Sequence, residues 1–152
     1  MTFMKTKCCD SAIDVNKAKD LLSNNGLNRT KVKVSILVEL SKAKNPLSVA
    51  DIYQELGDQS CDISTVFRTI NQFKEKGLIR ELNLGEDFHR YEIINLDQEH
   101  SHHHHHVRCR DCGDIKLIEK CDLSPFEKMI SKLGYKKMEH YLEFTGICAK
   151  CA

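Results

Sequence analysis

The chain has no tryptophan and only two prolines in 152 residues, and it lacks any apolar run near the roughly 20 residues that a bilayer-spanning helix needs. The expected partners therefore exclude a membrane. The N-terminus, MTFMKTKCCD, has no apolar core of the kind a secretory leader carries, so the expected compartment is the cytoplasm. A charge excess is also missing. With a formal charge of +1, bulk composition does not announce a nucleic-acid partner. Apolar residues at 41% leave too much hydrophobicity for general disorder. At about one domain per 150 residues, the length allows one domain or two small ones.

What the chain does have is cysteine and histidine, eight of each, unevenly placed. Residues 1–97 hold Cys8, Cys9, Cys61 and His89, whereas residues 98–152 hold the remaining five cysteines and seven histidines. Metal-capable side chains are thus concentrated in the last third, which implies two units with different tasks. In a reducing compartment such cysteines argue for metal or redox chemistry rather than a disulfide framework. Local charge is uneven as well. From Lys17 to Lys44, seven basic residues face only Asp20 and Glu39, a net of +5 that whole-chain arithmetic conceals.

Periodicity divides the first unit into helices and a hairpin. Ala18, Leu21 and Leu22 form a short helical face ended by Asn24-Asn25-Gly26. Val32, Ile36, Leu37 and Leu40 form a second, closed by Asn45-Pro46. Ser48 is a good N-cap for a third helix bearing Val49, Ile52, Tyr53 and Leu56, stopped by Gly57. Asp62 or Ser64 caps a fourth, with Val66, Ile70 and Phe73 on one stripe and Gly77 at its end. Alternating runs over 78–84 and 88–94 around Gly85-Glu86-Asp87 predict a two-stranded wing. The expected fold class is α+β: a winged helix-turn-helix domain over 1–94, a polar hinge over 95–101 and a small α/β domain over 102–152. In the last, strands are predicted from about His105 to Cys109, over 115–118 and over 138–145. A helix over 125–133 is expected to start at a Ser124 cap. Some 50 residues bury little core, so a metal staple and a dimer partner would supply what this domain lacks.

Cys109-Arg-Asp-Cys112 and Cys148-Ala-Lys-Cys151 each place two thiolates on one turn, and two such pairs complete a closed tetrahedral site of the structural zinc type. Four thiolates leave no open position for water or substrate, which argues against catalysis. The competing reading, a redox disulfide, needs no distant second pair.

The run His102 to His106 is internal and leads into a strand, unlike a terminal tag. In an extended strand, His103 and His105 face one way and His104 and His106 the other, so one strand can serve two metal sites. His100 and His102 also read as a solvated loop. Cys121, before the predicted helix, and His140, before the last cysteine pair, would complete a second tetrahedral set with this run; the bland alternative is a core thiol and a hydrogen-bonded histidine.

Asp62-Ile-Ser-Thr-Val-Phe-Arg-Thr-Ile-Asn71, Lys76-Gly-Leu-Ile79, Arg90-Tyr-Glu92, the histidine run into Cys109-x-x-Cys112-Gly113, and Glu139-His140 through Gly146-x-Cys148-x-x-Cys151 together resemble the ferric uptake regulator superfamily. The resemblance spans nearly the whole chain. It implies a homodimer with an N-terminal DNA-binding domain and a zinc-holding dimerisation domain. It also implies a hinge sensor site on Glu92, His104 and His106. Two further family ligands do not match, falling near Asn45 and on Leu117, so His89, Glu81 or His100 would complete that site, or it is incomplete. A second site falls on His103, His105 and His140, with Cys121 replacing a carboxylate that ungapped counting puts at Leu123. Thiolate with imidazole is a softer set than carboxylate with imidazole and favours zinc, with ferrous iron second and manganese or nickel further alternatives. The Glu119-x-Cys121-Asp-Leu123 stretch and the His-rich run resemble the zinc-sensing branch.

The resemblance makes residues 62–71 a recognition helix, with Ser64, Thr65, Phe67 and Arg68 as candidate base contacts. The family usually has tyrosine at Phe67, so a hydroxyl contact is lost here. Lys31, Lys33, Arg29 and Lys44 are candidate phosphate contacts, or a solvated helix face. The expected partner is a pseudo-palindromic double-stranded operator, and the expected role is repression of metal-uptake genes by metal. An iron-responsive or peroxide-sensing regulator is the alternative within the superfamily, and a metal-buffering protein lies outside it. No zinc-hydrolase motif with a general base accompanies the histidines, so no enzyme is expected. Cys8, Cys9 and Cys61 suggest no role.

Overall fold

The structure is a computed structural model that describes residues 12–57, 61–94, 104–118, 121–138 and 140–152. Its chain divides into two compact units, Met1–Glu99 and His100–Ala152. The hinge expected over 95–101 lies outside the described residues, as do Cys8, Cys9, His100, His102, His103, Glu119 and Glu139. Among the described residues no helix is long and apolar enough to cross a membrane.

The first unit opens with α1 (Val15–Asn24), capped by Asp14, whose carboxylate accepts from the Lys17 amide at 2.8 Å. Asn25 closes it, and Gly26 follows at φ +69°, a conformation that costs glycine nothing. α2 (Lys31–Lys42) starts at Thr30 and buries Val34, Ile36, Leu37 and Leu40; Val32, expected on that face, is half-buried. The predicted Ser48 cap is present as a full capping box with Asp51, so α3 (Val49–Leu56) has both reciprocal hydrogen bonds. Of the two caps open for α4 (Ile63–Glu75), Asp62 accepts from the Thr65 amide at 2.8 Å, and Ser64 donates its hydroxyl to the same carboxylate. Leu22, Ile36, Leu37, Ile52, Val66, Ile70 and Phe73 meet in one buried core.

The wing is a three-stranded sheet rather than the two-stranded one that periodicity predicts. β1 (Leu47–Ser48) pairs antiparallel with β3 (Arg90–Ile93), which pairs antiparallel with β2 (Ile79–Leu82), giving the order β1-β3-β2. Two residues are too few for an alternating pattern, which is why β1 leaves no signal. The wing strands are also shorter than the alternating runs. Arg90 pulls the loop inward: it donates to both Glu86 oxygens at 2.6 and 2.9 Å, to Asp51 at 3.1 Å and to the Pro46 carbonyl at 3.2 Å.

In the second unit, β4 (His105–Cys109) pairs antiparallel with β5 (Ile115–Ile118) and parallel with β6 (Glu143–Gly146). β6 begins at Glu143 and not at 138, because only from His106↔Glu143 onward does the chain pair with β4. α5 (Ser124–Lys132) also departs from expectation. Its N-cap is Leu123 and makes no side-chain capping bond; Ser124 is already helical, and Asp122 accepts from its amide and hydroxyl at 3.2 and 2.6 Å. α5 buries no residue, and Phe126, Met129 and Leu133 lie exposed at helical spacing.

Candidate metal centres and DNA-contacting helix

The parallel register Cys109↔Gly146 brings the two cysteine turns side by side, and the Arg110 amide donates to the Gly146 carbonyl at 2.8 Å between them. Gly113, at φ +73°, makes the tight turn after the first pair. Cys109, Cys112, Cys148 and Cys151 consequently converge, with sulfur atoms all within 4.8 Å of one another. Cys148 lies 3.7 Å from Cys112 and 3.6 Å from Cys151. The amides of Cys112 and Cys148 point at the Cys109 sulfur and hold that thiol down at about 6, while proton sharing with Cys148 and Cys112 pushes Cys151 up to about 12. The donor set fits zinc: four sulfurs from two turns, with backbone amides supporting the most buried one. Cys109, Cys112, Cys148 and Cys151 would hold such an ion as thiolates, giving up the protons that the crowded thiols otherwise share.

At the start of β4, and at His104 just before it, the alternation of histidines is visible in the rings. His104 and His106 lie edge to face with centroids 5.1 Å apart, whereas His105 turns to His140, 5.2 Å away. His105 Nδ1 is 2.8 Å from the Leu142 carbonyl, an arrangement that puts the proton on Nδ1 and frees Nε2 as a donor to metal. His140 Nε2 lies 3.3 Å from His105 Nε2 and 3.5 Å from the Cys121 sulfur. These three form a second cluster with donor atoms within 4.8 Å of each other, and it fits a tetrahedral ion with one position left for a further ligand. His103, predicted beside them, is outside the described residues. The Leu142 carbonyl escaped sequence reading because a main-chain acceptor has no residue signature.

Glu92 stands on β3 directly opposite Arg80 on β2, and the two form an ion pair. His106 is buried, and its strand neighbour in the register is Leu117. His89 and Glu81, both named as possible substitutes for the missing hinge ligands, lie together, with His89 Nδ1 4.0 Å from Glu81. Glu81 is also claimed by Lys74 at 2.6 Å, and that ammonium keeps its carboxyl below the ordinary value.

On α4, Ser64, Phe67 and Arg68 are exposed and Thr65 is half-buried. Arg68 donates to the Thr65 hydroxyl at 3.4 Å, an exposed contact that leaves the guanidinium accessible to a base edge or phosphate. Ile63, absent from the sequence prediction, is exposed with Phe67 one turn later. Lys31, Arg29 and Lys44 are exposed and Lys33 is half-buried.

The family model described as the ferric uptake regulator family matches residues 24–145. The chain belongs to that family. Among ferric uptake regulator relatives, the ferric uptake regulation protein of Staphylococcus epidermidis is 34% identical over 143 residues, covering 91% of this chain and 96% of its own. The peroxide operon regulator of Bacillus subtilis is 27% identical over 145 residues, covering 93% and 96%. The crystal structure of the Vibrio cholerae ferric uptake regulator superposes with a TM-score of 0.73 at 25% identity, covering 86% of this chain and 98% of that one. The chain is therefore a metal-responsive transcription regulator of this family, with the family's DNA-binding domain and α/β domain, and is not an enzyme.

Proposed function

We propose that this member of the family is a zinc-responsive repressor of metal-uptake genes, acting in the cytoplasm as a homodimer on a pseudo-palindromic operator. The observation that carries the zinc assignment is Cys121, brought within reach of His105 and His140. Sulfur with two imidazoles is a soft donor set that suits zinc better than ferrous iron or manganese. The four-cysteine site takes structural zinc. Two sensor sets are proposed: Glu92, His104 and His106, with His89 in reserve, and His103, His105, Cys121 and His140. Metal acts as co-repressor because it binds the DNA-competent arrangement more tightly, and operator DNA must then tighten metal by the same factor. Ser64, Thr65, Phe67 and Arg68 contact bases, and Lys31 and Lys33 contact phosphates.

The decisive experiment is operator binding by protein stripped of sensor metal and titrated with zinc, ferrous iron, manganese and nickel, with metal content measured. Zinc is expected to give half-maximal binding at the lowest free concentration. Equal operator binding with and without metal would overturn the co-repressor reading. A second reading, iron responsiveness, is favoured by relatives that are 33 and 34% identical ferric uptake regulation proteins, and a ferrous iron response below the zinc threshold would select it.

A further inference from the structure

We propose that Arg80 is a built-in competitor for the sensor metal, holding the Glu92 carboxylate and so raising the metal concentration at which the regulator responds. The inference rests on the reading of Glu92 as a sensor ligand. The geometry lies wholly within the wing. Arg80 and Glu92 are direct cross-strand partners in the antiparallel β2–β3 ladder, and the Arg80 Nε donates to Glu92 Oε1. The strand register therefore presents the guanidinium to that carboxylate whenever the hairpin is formed.

Burial makes this more than a surface pair. The side chains are 32% and 15% exposed, so water screens them less than it screens a pair such as Lys42 and Glu39, where the lysine is 54% exposed. A divalent cation approaching Glu92 meets a cation already in place. It must share the carboxylate against like-charge repulsion or displace the arginine, and either lowers its affinity. Arginine keeps its charge at every physiological pH, so the competition persists across that range. The neighbouring acid on β2, Glu81, is occupied by Lys74 and faces His89, so the wing already supplies that carboxylate with other partners.

The test is zinc affinity, measured by competition with a chromophoric chelator on protein whose four-cysteine site is already filled, for wild type, Arg80→Gln, Arg80→Lys and Glu92→Gln. Removing the charge in Arg80→Gln is expected to tighten zinc by about tenfold, the scale of effects from groups bonded to a ligand. The zinc concentration at half-maximal operator binding should fall in step. Arg80→Lys, which keeps the charge, is expected to stay near wild type, and this separates competition from any packing role because both variants lose the planar fork. Unchanged or weaker zinc binding in Arg80→Gln, with Glu92→Gln still weakening it, would overturn the inference alone. Wild-type affinity in Glu92→Gln would remove Glu92 from the sensor and overturn the underlying reading as well.

Discussion

Cys121 and Cys148 are both thiols near metal-capable neighbours, yet their chemical tasks differ. Cys148 belongs to a set in which all four donors are sulfur and no position stays open, so its loss removes a staple from a unit with little buried core. Cys148→Ser is expected to lose the tightly held zinc, measured by metal analysis after dialysis against chelator, and to lose the cooperative melting of the second unit. Cys121 shares its ion with two imidazoles, and the fold does not depend on it in the same way. Cys121→Ala should leave structural zinc in place and weaken zinc at the second cluster by about 10–100-fold or more, since even groups one bond further out have effects of that size. Cobalt titration checks this: the near-ultraviolet sulfur-to-metal band of the second site should vanish while that of the four-cysteine site remains.

The elements of the first unit owe their boundaries to short-range chemistry, and the Ser48–Asp51 capping box is the clearest case. The Ser48 hydroxyl accepts from the Asp51 amide at 3.1 Å, and Asp51 accepts from the Ser48 amide at 2.9 Å. Ser48→Ala is expected to cost about 1 kcal/mol in urea unfolding. The same box predicts an acid response. Burial pushes the Asp51 carboxyl up, but the Ser48 amide and hydroxyl and the Arg90 guanidinium outweigh it and hold it below its ordinary 3.8. A carboxyl depressed in the folded state stabilises fully above its unfolded value and loses that contribution as pH falls through the folded one. Stability of the wild type should therefore drop more steeply below pH 4 than that of Asp51→Asn, read as the difference in urea midpoints across pH 3–6.

At the scale of the whole molecule, the second unit exposes more apolar surface than a monomer of its size has reason to. Phe126 and Met129 on α5, Leu133 just after it, Tyr141 at 89% exposure and Ile147 at 51% form apolar surface that the proposed homodimer would cover. Leu133→Glu is expected to shift sedimentation toward monomer at micromolar concentration. It should also weaken operator binding by far more than any single base contact, because two half-sites then bind independently.

The helices, their caps and the paired cysteine turns follow from local order along the chain: residue spacing, an N-cap and a glycine act over four or five positions, and so they can be read from it. The histidine alternation is local in the same sense, since neighbouring side chains on a strand face opposite ways. Ser124 as a cap and a last strand starting at 138 were local expectations that failed, because Asp122 and the β4 partner decide those boundaries. What no local rule contains is who meets whom. His105 finds His140 through a parallel strand pairing across 37 residues and Cys121 through the antiparallel β4–β5 pairing at Ile118, Glu92 finds Arg80 through hairpin register, and β1 exists only because β3 lies beside it. Those contacts are made by chain segments distant in order, and their free energy comes from packing and pairing that appear only once the fold has closed.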